Sequence, residues 1–165
     1  GAVSAVVVST VLMLLYVWFR FKDVRFGASS VAALVHDVLV VLAFYAAARV
    51  SVGNTFIACM LTIVGYSINA TIVIFDRIRE NLKIHRRSES MTEMVDNSIW
   101  QTMGRSIYTV GTSLFAVVAI FIWGGETIRN FSFAMLVGFS SGAYTSTFLA
   151  GPLWMMLRKL KPGRD

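Results

Sequence analysis

This 165-residue chain has little charge and almost no cysteine. Its single cysteine, Cys59, has no partner and excludes an intrachain disulfide. Asp, Glu, Lys and Arg together make up only 15% of the residues, hydrophobic residues reach 56%, and mean hydropathy is +0.69. Those proportions are wrong for a soluble domain and right for a polytopic membrane protein. Neither an H-E-x-x-H metal motif nor a nucleophile elbow occurs, which disfavours an intramembrane protease. No cofactor or metal site is expected, and no basic region precedes the first apolar run.

Residues 1–19, 50–75, 106–125 and 130–157 carry no charge at all. Each run is long enough, at about 1.5 Å per residue, to cross a hydrocarbon layer of about 30 Å. Residues 27–48 are as apolar except for His36 and Asp37. Five spans are therefore predicted, at about 2–20, 27–48, 54–75, 105–124 and 131–156, in an all-α bundle forming a single transmembrane domain.

A net charge of +6 invites a nucleic-acid reading, but the basic residues are segregated. Arg20, Lys22 and Arg25 follow the first span. Arg77, Arg79, Lys83, Arg86, Arg87 and Arg105 lie between the third and fourth, and Arg158, Lys159, Lys161 and Arg164 follow the fifth. Only Arg49 and Arg129 fall on the opposite side, so 13 of the 15 share one side. By the positive-inside rule that side is cytoplasmic, with the N-terminus external and the C-terminus cytoplasmic. The expected partners are lipids and other membrane proteins, not nucleic acid. A first span running outside to inside without a basic leader is expected to follow a further span or export signal upstream.

The links at Arg49–Gly53 and Gly124–Asn130 are short, as is FKDVRF on the basic side. Only the link from Asp76 to Gly104 has room for structure. There, residues 88–103 read as a separate short amphipathic helix at the interface, with Met91, Met94, Val95, Ile99 and Met103 near helical spacing. Ser90 with Glu93 forms a capping-box pattern. Tyr16, Trp18, Phe19, Trp123 and Trp154 fall at span ends, where amphipathic rings form a belt. Gly138 and Gly142, extended to Ser146, have the spacing of a close helix contact, expected within this chain.

Ionisable residues inside a membrane are costly and are the first candidates for function. Asp37 lies about 14 Å from the basic start of its span, with Ser30 and Ala33 on the same face. It reads as a proton carrier tuned or relayed by His36, or as a buried lock between helices. Thr62, Gly65, Asn69 and Asp76 form one stripe of the third span. Asn69 is about 10 Å deep, a level at which it is expected to approach Asp37. Asn cannot titrate, so it holds water or a carboxylate, or serves as helix glue. Arg105 opens a polar face with Tyr108, Thr109, Thr112 and Ser113, either as a snorkelling cation or as a fixed charge that senses an acid.

GYSINATIVIFDRIREN, residues 65–81, resembles the fourth-helix signature of the SecF family of protein-export membrane subunits, through Gly65, Tyr66, Ser67, Asn69, Asp76, Arg77, Arg79, Glu80 and Asn81. LVHDVLVVLAF resembles the third helix, NSIWQTMGRSIYTVGTSL the fifth, and GAVSAVVVS with LVGFSSGAYTSTFLAGPLW the two ends, so the likeness covers the whole chain. The resemblance implies one half of a pseudo-symmetric transmembrane domain of the resistance-nodulation-division (RND) superfamily. It also implies a bacterial-type inner-membrane location and a first helix and external domain upstream. The implied partners are SecD, the SecYEG translocon, SecA and translocating preproteins, and the implied role is non-enzymatic use of ion-motive force in export. Arg105 matches the family's relay arginine. One position departs: many members have Asn-Asp-Thr where this chain has Asn69, Ala70 and Thr71, and that Asp is their proposed proton carrier.

With Ala70 unable to bind a proton, the carboxylate role falls to Asp37, resides in SecD, or has been removed by substitution. The preferred expectation is that Asp37 accepts the ion, H⁺ or Na⁺, while His36 relays it, Asn69 and Thr71 order water, and Arg105 senses the charge. The rivals are a scaffold subunit without ion coupling and a drug- or lipid-exporting half from the same superfamily.

Overall fold

The computed structural model describes residues 1–85 and 87–160, with the side chain of Ala2 excepted. Arg86, Lys161 and Arg164, counted above with the basic side, lie outside the described residues. Helix α1 spans Ala2–Phe21, α2 Val24–Ala48, α3 Asn54–Lys83 and α4 Met91–Trp123. Helix α5, Gly125–Tyr144, runs through a π turn at Thr145–Leu149 into α6, Ala150–Leu160. The last three form one apolar rod of 36 residues, so among the described residues five segments are long and apolar enough to cross a membrane.

The segments differ from the sequence expectation mainly at their ends. The first link on the basic side is only Lys22 and Asp23. Lys22 closes α1 in the left-handed region at φ 52°, and the Asp23 carboxylate accepts from the Arg25 N–H at 2.9 Å to start α2. The expected interfacial helix at 88–103 is not separate. It is the first half of α4, a rod of 33 residues that continues through Gly104 and Arg105 into the span. Its apolar side packs inward, with Val95 and Met94 buried, because it lies against the equally extended end of α3 and against α6. Nor is Gly124–Asn130 a loop: Gly125, at φ +75°, reverses the chain almost alone.

Ser90 caps α4 as expected, accepting from the Glu93 N–H at 3.2 Å while the Glu93 carboxylate accepts from the Ser90 N–H at 3.1 Å. Ser90→Ala is expected to cost about 1 kcal/mol, and Ser90→Asp almost nothing, in thermal unfolding of the purified protein.

Two apolar clusters fill the bundle. The one on the basic side gathers Phe21, Phe26, Phe75 and Trp154, with Phe26 stacked on Trp154 at 5.0 Å. Trp154 is therefore a fully buried core ring and not a belt residue, unlike Tyr16, Trp18, Phe19 and Trp123, which are exposed. The other cluster gathers Val41, Tyr45, Phe56, Ile63 and Phe139. Asp37 on α2, and Ser141 and Thr145 on the last rod, lie in sequence between residues of the two clusters, so a polar group joined by Ser67 of α3 sits where the clusters meet.

The signature's charged tail stitches the basic side together. Asp76 pairs with Arg20 at 3.1 Å, and Arg79 donates to the Arg20 carbonyl at 3.1 Å, which satisfies an orphan acceptor at the end of α1. Arg77 reaches Glu80 at 2.7 Å and Gln101 at 2.6 Å, while Asn81 donates to Ser98 at 2.8 Å and Gln101 at 3.0 Å. Most of the signature thus holds the extension of α3 to α1 and α4.

Candidate functional site

Glycines bring the helices close enough to form the site. A Cβ on Gly138 would lie 2.3 Å from Ile63 Cδ1, and one on Gly142 would lie 3.3 Å from Ser67 Cβ. With α5 pressed on α3, Ser67, Ser141 and Thr145 converge on Asp37 of α2, which is 1% exposed.

The Asp37 carboxylate accepts at Oδ1 from Ser141 Oγ at 2.8 Å and Thr145 Oγ1 at 2.6 Å, and at Oδ2 from Ser67 Oγ. His36 Nδ1 lies 3.0 Å from Thr145 Oγ1 and 3.4 Å from Asp37 Oδ1. Thr145 has one hydroxyl proton, so when it donates to Asp37 its oxygen can only accept from His36 Nδ1. The imidazole is partly open to a groove between α2 and α5 lined by Val40, Phe44, Ser140 and Tyr144. The cluster therefore turns three hydroxyls onto one carboxylate, and its one ionisable neighbour among the described residues, His36, lies between it and the groove.

Thr71 lies on the same buried face of α3 as Ser67, one turn on. Asn69 does not join it. The expected approach of Asn69 to Asp37 fails because equal depth does not imply equal direction: two residues past Ser67, Asn69 points about 200° around the helix. It is exposed and lines a second, smaller cleft of about 70 Å³ with Tyr66, Ala70, Arg105, Thr109 and Ser146. Arg105 has no ion-pair partner among the described residues, and the Tyr66 hydroxyl, although buried, has no hydrogen-bond partner there either. Gly65 faces α1 instead, with Met13 Cε 3.9 Å from where its Cβ would be.

Thus the structure groups His36 with Asp37, and Asn69 with Arg105, in two sites on different sides of α3. Ala70 belongs to the Arg105 side, so position 70 and Asp37 do not share a site. Sequence reasoning missed Ser141 and Thr145 as ligands of Asp37. The signal was present: Gly138, Ser141, Gly142 and Thr145 repeat at offsets of three, four and seven, a hydroxyl track beside the glycines.

Residues 1–160 match the family described as "Protein export membrane protein SecD/SecF, C-terminal". The chain is 60% identical over 159 residues to the protein translocase subunit SecF of Acidaminococcus fermentans, covering 96% of this chain and 54% of that protein. It is 50% identical to SecF of Alicyclobacillus acidocaldarius, covering 95% of this chain and 51% of that one. The chain thus spans about half the length of these relatives. A crystal structure of SecDF in a super-membrane-facing form matches with a TM-score of 0.89 and 41% identity, over 96% of this chain and 21% of that one. With its five apolar segments and the signature at residues 65–81, the chain belongs to the SecD/SecF family of protein-export membrane proteins.

Proposed function

We propose that this chain is the membrane part of a SecF-type subunit that works with SecD to assist preprotein export, and that ion uptake at Asp37 is its contribution to coupling. The observation that carries the reading is the buried carboxylate between two apolar clusters, served by donors from α2, α3, α5 and the π turn. A group used only to lock two helices needs fewer partners and no imidazole leading outward. In this reading His36 takes a proton from the groove and delivers it to Asp37, while Thr71 belongs to the same polar layer. Arg105 and Asn69 form the second site, which senses the change. The basic side faces the cytoplasm, SecYEG and SecA are the translocation partners, and the bundle is half of a pseudo-symmetric pair with SecD.

A scaffold role is the second reading. It is favoured by Ala70, whose methyl group lines the Arg105 cleft at the position where the resembled family pattern implies an acid. Asp37→Asn separates the two readings cleanly. The amide oxygen can still accept from Ser141 and Thr145, and the amide N–H₂ can donate to Ser67 Oγ, so the cluster stays satisfied but cannot titrate. In vesicles carrying the full-length subunit with SecD and the translocon, Asp37→Asn is expected to leave assembly intact and remove the stimulation of export by an imposed gradient. Running the assay with a proton gradient and then a sodium gradient identifies the ion. Full stimulation in the variant sinks the ion-coupling role and leaves the scaffold.

A further inference from the structure

The π turn at Thr145–Leu149 lies between the two polar sites. It is a true widening of the helix, since the Ala150 N–H donates to the Thr145 carbonyl five residues back. Such turns are rare in helices and recur at functional positions. Here three consecutive residues, Thr145, Ser146 and Thr147, are all buried, because the widened turn faces three directions at once. Thr145 bonds Asp37 and His36, whereas Ser146, its immediate neighbour, lines the cleft of Arg105, Tyr66 and Asn69.

The rod is clamped on both sides of this turn. Above it, Gly138 and Gly142 leave no free space against Ile63 and Ser67. Below it, Trp154 is stacked on Phe26, and a Cβ on Gly151 would meet Val95 Cγ1 at 3.2 Å. A change of hydrogen bonding at Thr145 is therefore confined to the turn, and the next residue that it moves is Ser146. We infer that Thr145 and Ser146 are positioning residues that pass the protonation state of Asp37 through the π turn to the Arg105 cleft. The inference rests on the proposed uptake of a proton at Asp37.

The proton balance gives Thr145 two settings. With Asp37 ionised, the Thr145 hydroxyl donates to Oδ1. When a protonated His36 gives its Nδ1 proton to Asp37, the imidazole keeps its Nε2 proton and its bare Nδ1 becomes an acceptor. The Thr145 hydroxyl then turns to Nδ1, 3.0 Å away, and its bond to the carboxylate is lost. The groups facing Asp37 from α3, α5 and the π turn are the hydroxyls of Ser67, Ser141 and Thr145, which do not titrate near neutral pH, so among the described residues His36 is the titratable group beside it.

The test uses the full-length subunit assembled with its SecD partner in vesicles. Ser146→Cys is labelled with methyl methanethiosulfonate, and modification at position 146 is read by mass spectrometry. Thr109→Cys, on the α4 wall of the same cleft, is a second reporter if Ser146→Cys does not assemble. Rates are compared with Asp37 present and with Asp37→Asn at each pH, so that titration of the reporter thiol cancels. The expected result is a rate ratio that changes about fivefold or more across the pH range, the low end of ordinary coupling between sites. Thr145→Val should abolish that change and Thr145→Ser should restore it. A ratio constant with pH, or a pH dependence that survives Thr145→Val, overturns the inference. If Asp37→Asn removes gradient-driven export while the ratio stays flat, only this linkage falls; if it alters neither, the ion-uptake reading falls too.

Discussion

Replacing Asp37 by alanine is expected to destabilise the folded protein by about 3 kcal/mol, several times the effect of asparagine at the same place. Three hydroxyls lose their common acceptor at once. Each hydroxyl has a retreat, because a Ser or Thr in a helix can turn to the carbonyl four residues back. That retreat keeps the loss well below the sum of three charge-assisted bonds, which are worth about 1.5–3 kcal/mol each. What remains is the lost charge-assisted bonding and a small void between the two apolar clusters. Asparagine fills the void and re-forms the bonds, so its cost should stay below about 1 kcal/mol. The order wild type, Asn, Ala in thermal unfolding checks this. Equal losses for both variants would mean that the cluster needs a negative charge, and not merely an acceptor, for its stability.

Gly138→Ala should be comparably damaging, through packing and not polarity. Its new methyl group would lie 2.3 Å from Ile63 Cδ1, 2.5 Å from Cγ1 and 2.9 Å from Cγ2. Ile63 is 1% exposed and cannot swing its side chain into free space. Overpacking of this kind costs about 1–3 kcal/mol, and Gly138→Leu must separate α5 from α3 outright. Separation draws Ser141 off Asp37, so the damage reaches the site from one turn away. Ile63→Ala alone should cost about 2–5 kcal/mol by leaving a cavity. The double variant Ile63→Ala with Gly138→Ala should cost less than the sum, by about 0.5–3 kcal/mol. Strict additivity in unfolding would show that the two residues are not in contact.

The five segments were legible in the sequence because a charge-free run of about twenty residues has one stable use in a membrane. Where runs ended was less legible. Arg105 looked like a boundary because a charge in a membrane is costly, yet the helix passes straight through Gly104 and Arg105. A helix tolerates both where a long side chain reaches a cleft and its backbone bonds remain made. Asp37 was identifiable from its isolation in an apolar run, but its partners were not. Helical counting supplies depth and the face within one helix, and it says nothing about how neighbouring helices are rotated. Hence Asn69, at the right depth, lies in another site, whereas Ser141 and Thr145, over a hundred residues away, bind the carboxylate.

The two extended helices have a mechanical consequence. At about 1.5 Å per residue, the 30 residues of α3 and 33 of α4 are roughly 45–50 Å long, so some 15–20 Å of each projects past the hydrocarbon layer on the basic side. Bound to each other by Asn81, Ser98 and Gln101, they make a stiff lever. A tilt of about 10° within the bundle would displace its far tip by about 3 Å, a stroke large enough for a protein docked on that side to register.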